Sequence, residues 1–145
     1  EFADMRAAYD ALDDRMKADV ENMICEHSLL HSRGELGFEV TDEERLKFAP
    51  VRQRLVRAHP ETGRKTMFLS SHGGEIDGLP RPEARMLLRE LAEHGTQQAF
   101  RYAHVWRRHD LLMWDNRCTM HRACRFDESE VRDLRRTTLV GQPTL

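Results

Sequence analysis

Apolar residues recur at helical spacing in the first part of the chain. They lie three or four positions apart, as on one face of an α-helix. The first set comprises Met5, Ala8, Tyr9 and Leu12, and the second, after Asp13 and Asp14, comprises Met16, Val20, Met23 and Ile24. This pattern predicts two amphipathic helices at the start of the chain, with His27 on the apolar stripe of the second helix in a structural role.

The middle of the chain carries turn and strand signals. Gly34, Gly37 and the helix-start pattern at 41–44 predict a loop with one helical turn between residues 28 and 50. The stretches 51–58 and 65–71 flank the turn sequence 60–63 and predict a β-hairpin. We therefore expect strands to begin after residue 50.

One long helix and several strands are predicted in the second half. Pro80 and Pro82 open a segment with leucines at helical spacing, which Gly95 ends. Three strand-like runs follow at 100–106, 111–114 and 134–140, with His121 on the connection between the last two. Helices early and short strands late, without βαβ alternation, favour an α+β or jelly-roll arrangement over a doubly wound sheet.

Composition narrows the classes of function. The chain has 145 residues, 39% of them hydrophobic and 33% charged, and a formal net charge of -2. Such a balance gives no basic field for nucleic acid or an anionic membrane, and no apolar run is long enough to span a bilayer. The cysteines Cys25, Cys118 and Cys124 form no C-x-x-C pair, so we expect the protein to be located in the reducing cytoplasm.

Candidate chemistry is concentrated between residues 110 and 139. His121 follows an apolar run ending in Trp114, so a neutral imidazole beside a buried wall is available to a metal. A hydrogen-bonded structural histidine is the other interpretation of His121 alone. Arg132 and Arg136 lie four positions apart, on one face of either a strand or a helix. Two guanidiniums suit a dicarboxylate, although a solvated charged edge with Asp127, Glu128, Glu130 and Asp133 explains them as well.

The order of these residues resembles the C-terminal signature of the taurine dioxygenase family. The signature comprises Trp114-Asp115-Asn116-Arg117, His121, Arg132 and Arg136-Thr137-Thr138. The opening residues 1–12, the Glu26-His27 pair, the turn 63–65 and the helix 85–94 look like the 2,4-dichlorophenoxyacetate/2-oxoglutarate dioxygenase branch. The resemblance extends over nearly the whole chain.

The resemblance implies a fold and a site. The fold is the C-terminal part of a double-stranded β-helix, a cupin-like jelly roll with flanking helices. Iron(II) is held by an early His-x-Asp pair and a late histidine, matched by His121. Arg132 corresponds to the residue that binds 2-oxoglutarate, Arg136 lies near cosubstrate and substrate, and Trp114 forms the aromatic wall. His72 matches a substrate-pocket position, although an exposed loop histidine explains it equally well.

The chain lacks part of the family pattern. No His-x-Asp pair matches the other two ligands, and His59-Pro60-Glu61 lies in the predicted hairpin turn, where turn chemistry explains it. We therefore interpret residues 1–145 as a partial domain whose N-terminal part is missing, and we expect the chain alone to bind iron weakly and to be inactive.

The resemblance also implies a reaction. The complete enzyme would use O2 and 2-oxoglutarate to hydroxylate an acidic small molecule such as 2,4-dichlorophenoxyacetate. The product would collapse to a phenol and glyoxylate, with succinate and CO2 as coproducts. Two other functions stay open, a taurine or alkylsulfonate dioxygenase and a non-catalytic cupin-like binding module. The sequence is also compatible with a homo-oligomer.

Overall fold

The computed structural model describes residues 1–140. Five short helices and eight short strands alternate irregularly along this part of the chain. In order they are β1 (Phe2–Asp4), α1 (Met5–Asp10), α2 (Asp14–Val20), β2 (Ile24–His27), α3 (Leu29–Glu35), α4 (Asp42–Lys47), β3 (Val51–Arg54), β4 (Val56–Ala58), β5 (Lys65–Met67), β6 (Gly73–Ile76), α5 (Arg81–Gly95), β7 (Arg101–Tyr102) and β8 (Thr119–His121). A single 3-10 turn, Gln98–Phe100, links α5 to β7.

The strands form three small antiparallel sheets. The first has the order β7-β1-β8, the second β3-β2-β6, and the third is the β4-β5 hairpin. In the first sheet Phe2 lies opposite both Tyr102 and His121. The start of the chain is therefore the central strand between two late segments.

Side-chain caps explain where the early helices begin. Asp4 accepts from the backbone N–H groups of Arg6 and Ala7, and Asp13 accepts from that of Met16. Thr41 and Glu44 form a reciprocal capping box at α4. These caps satisfy N–H groups that have no partner inside the helix.

The core lies between α1, α5 and the hairpin. Its largest fully buried side chains are Met5, Val20, Cys25, Leu55, Thr66, Met67 and Leu91. Gly95 ends α5 where a Cβ atom would lie 3.1 Å from Cε of Met5. A side chain at this position would therefore require the Met5 side chain to move by a few tenths of an ångström.

The structure corrects several predicted elements in the first half. The second helix ends at Val20, and Ile24 and His27 lie on β2 rather than on a helix. The four-residue strand still buries Cys25, and its pairing on both edges with β3 and β6 outweighs the helical spacing. The segment 28–50 contains two helices instead of one helical turn.

The predicted hairpin is confirmed as the pair β4-β5, although only Lys65–Met67 of the stretch 65–71 is a strand. The stretch 51–58 is two strands in different sheets, because the fully buried Leu55 separates them. Its N–H donates to the carbonyl of Met23, and its carbonyl accepts from Phe68. The long helix α5 is confirmed from Arg81 to Gly95.

The late strand predictions are mostly wrong within residues 1–140. Only Arg101–Tyr102 of the run 100–106 is a strand, and the runs 111–114 and 134–140 have no strand structure. An extended run needs a hydrogen-bonded neighbour to become a strand, and none is paired with these two runs in the described part of the chain. His121 lies on β8 and not on a connection.

The broad fold class is confirmed, because the described residues mix α-helices with antiparallel strands. None of the helices in residues 1–140 combines the length and the apolar character that crossing a bilayer requires.

The core packing predicts an asymmetric effect of two substitutions in α5. Leu91 is 1% exposed and Met86 is 73% exposed. We expect Leu91→Ala to lower the free energy of unfolding by about 2–5 kcal/mol, because it leaves a cavity. Met86→Ala, on the same helix, should change it by less than about 0.5 kcal/mol. Urea unfolding measures both, and equal effects would contradict the assigned core.

Candidate functional site

One face of the first sheet collects the residues around His121. Strand alternation places Phe2 and Asp4 of β1 on the same face as their partners His121 and Thr119 of β8. Ala3 is buried on the opposite face, toward the core. The pairing therefore presents His121 on an open face beside the first residues of the chain.

Three rings pack together on this face. The ring centres of Trp114 and His121 are 5.1 Å apart, and those of Phe2 and Trp114 are 5.2 Å apart. Phe2 stacks on His121 at 6.2 Å. The Trp114 indole N–H donates to Oδ1 of Asn116 at 2.8 Å. We call Phe2, Trp114 and His121 the aromatic trio.

The surroundings of His121 favour its neutral imidazole. Partial burial lowers the pKa of His121 below its ordinary value, and the positive charge of Arg136 lowers it further. A neutral ring keeps a lone pair for a metal. Within residues 1–140, neither ring nitrogen of His121 has a hydrogen-bond partner.

The two predicted arginines lie in different surroundings. Arg136 acts on His121 through its charge. The guanidinium carbon of Arg132 lies 4.9 Å from the centre of the Phe126 ring. Both side chains are exposed, in a segment without strands or helices. The described structure thus places Trp114 against His121, whereas Arg136 influences His121 through its charge alone. Within residues 1–140, neither arginine makes a hydrogen bond or ring contact with Trp114 or His121.

An open cleft of about 330 Å³ is lined by Phe2 and Trp114 of the aromatic trio but not by His121. Most of its lining is apolar, and polar groups come from Thr119 and the Asp4–Arg6 pair. The apolar lining residues are Phe2, Ala3, Phe100, Tyr102, Leu112, Met113 and Trp114. Leu112 and Trp114 are half-buried while Leu111 and Met113 are exposed, so the alternation of this run persists without strand pairing.

His72 belongs to a separate polar cluster. Its Nδ1 lies 2.8 Å from the Ser32 hydroxyl, and its backbone N–H donates to the Ser70 hydroxyl. The side chain is half-buried and lies on the turn that precedes β6, and its place in the substrate pocket stays a prediction. Within residues 1–140, no recorded contact joins His72 to His121.

His27 lies at the centre of that cluster. Its Nδ1 is 3.0 Å from the Ser70 hydroxyl, and its Nε2 is buried with no partner among the described residues. Burial lowers the pKa of His27 to about 4, with contributions from the charges of His72 and Arg57. The ring is therefore neutral at pH 7, because a buried charge without a partner is costly.

Sequence reasoning missed the role of His59. The side chain is 7% exposed, and its Nε2 lies 3.1 Å from Oδ2 of Asp115. Asp115 also accepts from Nε and the terminal nitrogen of Arg117, at 2.9 and 2.6 Å. Arg117 reaches Glu61 in the hairpin turn at 2.9 Å. We call His59, Glu61, Asp115 and Arg117 the hairpin clamp.

The clamp does not fit an open metal site. His59, Asp115 and Cys118 are the one group of three potential ligands close enough together within residues 1–140. Hydrogen bonds from Arg117 hold the pKa of Asp115 far below its ordinary range, and burial raises the pKa of the Cys118 thiol. The carboxylate is already occupied, and the thiol resists the deprotonation that metal binding requires.

Comparisons with known proteins agree on one family. A family model described as taurine catabolism dioxygenase TauD, TfdA family, matches residues 1–138. Alpha-ketoglutarate-dependent 2,4-dichlorophenoxyacetate dioxygenases are 47% identical over 98% of this chain in Burkholderia sp. (strain RASC) and 48% identical over 95% in Cupriavidus pinatubonensis. The chain spans 48% of the length of each relative.

A solved structure is similar as well. The crystal structure of AAD-2 in complex with Mn(II) and N-oxalylglycine matches 91% of this chain at 62% identity, with a TM-score of 0.87. The match covers 53% of that chain. The fold described above is therefore that of about half of a larger known domain.

The buried neutral His27 predicts acid sensitivity. An unfolded histidine takes up a proton near pH 6.5, whereas His27 resists protonation until about pH 4. Between these two pH values the unfolded state binds more protons than the folded state, so stability rises with pH. The contribution of the neutral His27 to the free energy of unfolding, at most about 3 kcal/mol, is present above pH 6.5 and lost as pH falls through 4.

Urea unfolding across this window tests the assignment. His27→Gln removes the titration and should flatten the pH dependence of the free energy of unfolding. His109→Asn changes an exposed histidine with a φ of 72°, a conformation that asparagine tolerates, and should leave the pH dependence unchanged. Equal slopes in His27→Gln and the unchanged chain would rule out the role of His27.

Proposed function

The chain belongs to the taurine catabolism dioxygenase family, and on that premise we propose that it supplies the late histidine ligand, His121, of an iron(II)- and 2-oxoglutarate-dependent dioxygenase. The observation that carries the proposal is the neutral His121 imidazole, with unpartnered ring nitrogens, on an open sheet face beside Trp114. Two histidines and one carboxylate on one face form the usual site of such enzymes. His121 fits one of these three positions.

The other two metal ligands would come from residues other than those that surround His121 in the described structure. The one close group of three potential ligands within residues 1–140 does not include His121. The chain also spans only about half of its relatives' length. We therefore treat residues 1–145 as a single part of one dioxygenase domain, and we keep the expectation that this chain alone binds iron weakly and is inactive.

We assign the finer fold to a double-stranded β-helix. Two three-stranded antiparallel sheets, β7-β1-β8 and β3-β2-β6, support this assignment. The similarity to AAD-2 supports it as well. Jelly rolls place such sheets face to face, and the open face that bears His121 would then point into the barrel.

We assign the arginines by their chemistry. Arg132 would bind the distal carboxylate of 2-oxoglutarate, since a guanidinium makes paired, charge-assisted hydrogen bonds with a carboxylate. Arg136, whose charge already acts on His121, would bind near the cosubstrate and the acidic group of the substrate. Trp114 would form the wall beside both molecules, and His72 would contact the substrate.

An aryloxyalkanoate suits the site best. The cleft beside the aromatic trio is largely apolar, as an aromatic ring requires. Two relatives are named for 2,4-dichlorophenoxyacetate and another, from Sphingobium herbicidovorans and 41% identical over 98% of this chain, for (S)-phenoxypropionate. With iron, 2-oxoglutarate and O2 bound, the site would supply hydroxylation of the carbon next to the ether oxygen, with succinate and CO2 formed from 2-oxoglutarate. For an aryloxyacetate the resulting hemiacetal would collapse to a phenol and glyoxylate.

A sulfonate substrate is the second candidate. A relative from Schizosaccharomyces pombe, 30% identical over 94% of this chain, is named a putative alpha-ketoglutarate-dependent sulfonate dioxygenase. Taurine has no ring to fill an apolar cleft, so the aromatic lining favours the aryloxy acid.

The cysteines within residues 1–140 are all free, which suits a protein of the reducing cytoplasm.

Turnover by a completed enzyme tests the proposal. The part of the Cupriavidus relative that this chain does not match would be fused to it in its natural order. We expect succinate formation that depends on 2,4-dichlorophenoxyacetate, exceeds that with taurine, and is lost in His121→Ala. A folded fusion that binds no Mn(II) would instead favour the non-catalytic module.

The arginine assignments predict a split in kinetic constants. In the fusion, Arg132→Ala should raise the KM for 2-oxoglutarate, and Arg136→Ala the KM for the aryloxy acid, each by about ten- to a hundredfold because a charged hydrogen-bond partner is lost. Arg135→Ala is the matched control, since Arg135 is 92% exposed and lies 3.7 Å from the Asp133 carboxylate. An unchanged 2-oxoglutarate KM in Arg132→Ala would remove that assignment.

A further inference from the structure

The residues between Trp114 and strand β8 form one short turn. Trp114 directly precedes Asp115, and β8 begins directly after Cys118. Asp115 organises the turn itself, because its Oδ1 accepts from the backbone N–H of Arg117 at 2.8 Å and its carbonyl accepts from that of Cys118 at 3.3 Å. Any displacement of Asp115 would therefore move both ends of the turn.

The hairpin provides a fixed support for this turn. The backbone N–H of His59 donates to the carbonyl of Arg64 at 2.8 Å, and its own carbonyl accepts from Thr62 and Gly63. The hydroxyl of Thr62 lies 3.2 Å from Nδ1 of the imidazole. His59 is thus held from its backbone and from one side of its ring, and it is almost completely buried.

The remaining nitrogen of His59 faces Asp115. A carboxylate oxygen only accepts, so Nε2 carries the proton of the 3.1 Å contact. A hydrogen bond to an ionised carboxylate is among the stronger kinds. Arg117 adds a second link, because it binds Asp115 and Glu61 together. The hairpin clamp thereby connects residues that are 56 positions apart in the chain.

We propose that His59, through Asp115, is a positioning residue that holds Trp114 and His121 in the geometry of the metal site. The role in catalysis rests on the proposed function, whereas the positioning itself is a property of the described residues. Groups that orient a metal ligand indirectly commonly contribute about ten- to a hundredfold in metal affinity or activity. His59 itself would touch neither metal nor substrate.

Two substitutions of His59 separate its two ring contacts. Glutamine places an amide N–H near the position of Nε2 and can still donate to Asp115. Asparagine places its amide near the position of Nδ1, so it keeps the contact with Thr62 and loses the contact with Asp115. His94→Ala is the matched control, since His94 also makes an interelement hydrogen bond, from Nε2 to the carbonyl of Ala8 at 2.8 Å, and lies outside the clamp.

The first readout uses the full chain without metal. Nuclear Overhauser contacts between the Trp114 indole and the His121 imidazole report their proximity. We expect these contacts in the unchanged chain and in His59→Gln, and their loss in His59→Asn. His94→Ala should lower the melting temperature and keep them. If His59→Asn does not fold, Asp115→Asn replaces it, with the same expected loss.

The second readout is the Mn(II) affinity of the fusion with the Cupriavidus part. We expect about a tenfold loss in His59→Asn, and recovery in His59→Gln. A folded His59→Asn chain that keeps the Trp114–His121 contacts at full intensity would overturn the positioning role. A fusion that binds no Mn(II) even unchanged would count against the proposed function instead, and the contacts in the chain would still decide on His59.

Discussion

The antiparallel pairing of β1 with β8 determines where the candidate site lies. The pairing continues to Glu1 and Arg122, which are 121 positions apart and exchange two backbone hydrogen bonds of 3.0 Å each, one in each direction. The Arg122 side chain adds a 2.8 Å bond to the Glu1 carboxylate. Because side chains alternate along a strand, this one register puts Phe2 against His121 and leaves Ala3 for the core. A shift by one residue would turn His121 away from Phe2 and Trp114.

The second constraint acts from the other side of the site. The hairpin clamp fixes the turn that precedes β8, and the N–H of Met5 donates to the carbonyl of Cys118 at 3.0 Å. Strand pairing therefore determines the position of His121 along the sheet, while the clamp determines the position of the turn that follows Trp114. The candidate ligand is held from both directions, and its side chain stays exposed.

Local signals in the sequence were sufficient for some elements and for the identity of the candidate residues. The leucine pattern of α5, its opening prolines and Gly95 located that helix, and the turn 60–63 located the hairpin. Helical spacing failed at Ile24 and His27, because strand pairing on both edges of β2 is a non-local interaction that periodicity does not contain. The clamp was missed for the same reason, since no spacing rule links His59 to Asp115. Arg132 and Arg136 were found by family order, and their roles stay predictions.

A crystal structure of the fusion with Mn(II) and N-oxalylglycine would test the central claim most directly. The anomalous signal of manganese locates the metal independently of the protein atoms. We expect the ion to be bound to a ring nitrogen of His121, with Trp114 beside the ligand and the guanidinium of Arg132 on its distal carboxylate. Manganese bound away from His121, for example between His59, Asp115 and Cys118, would contradict it.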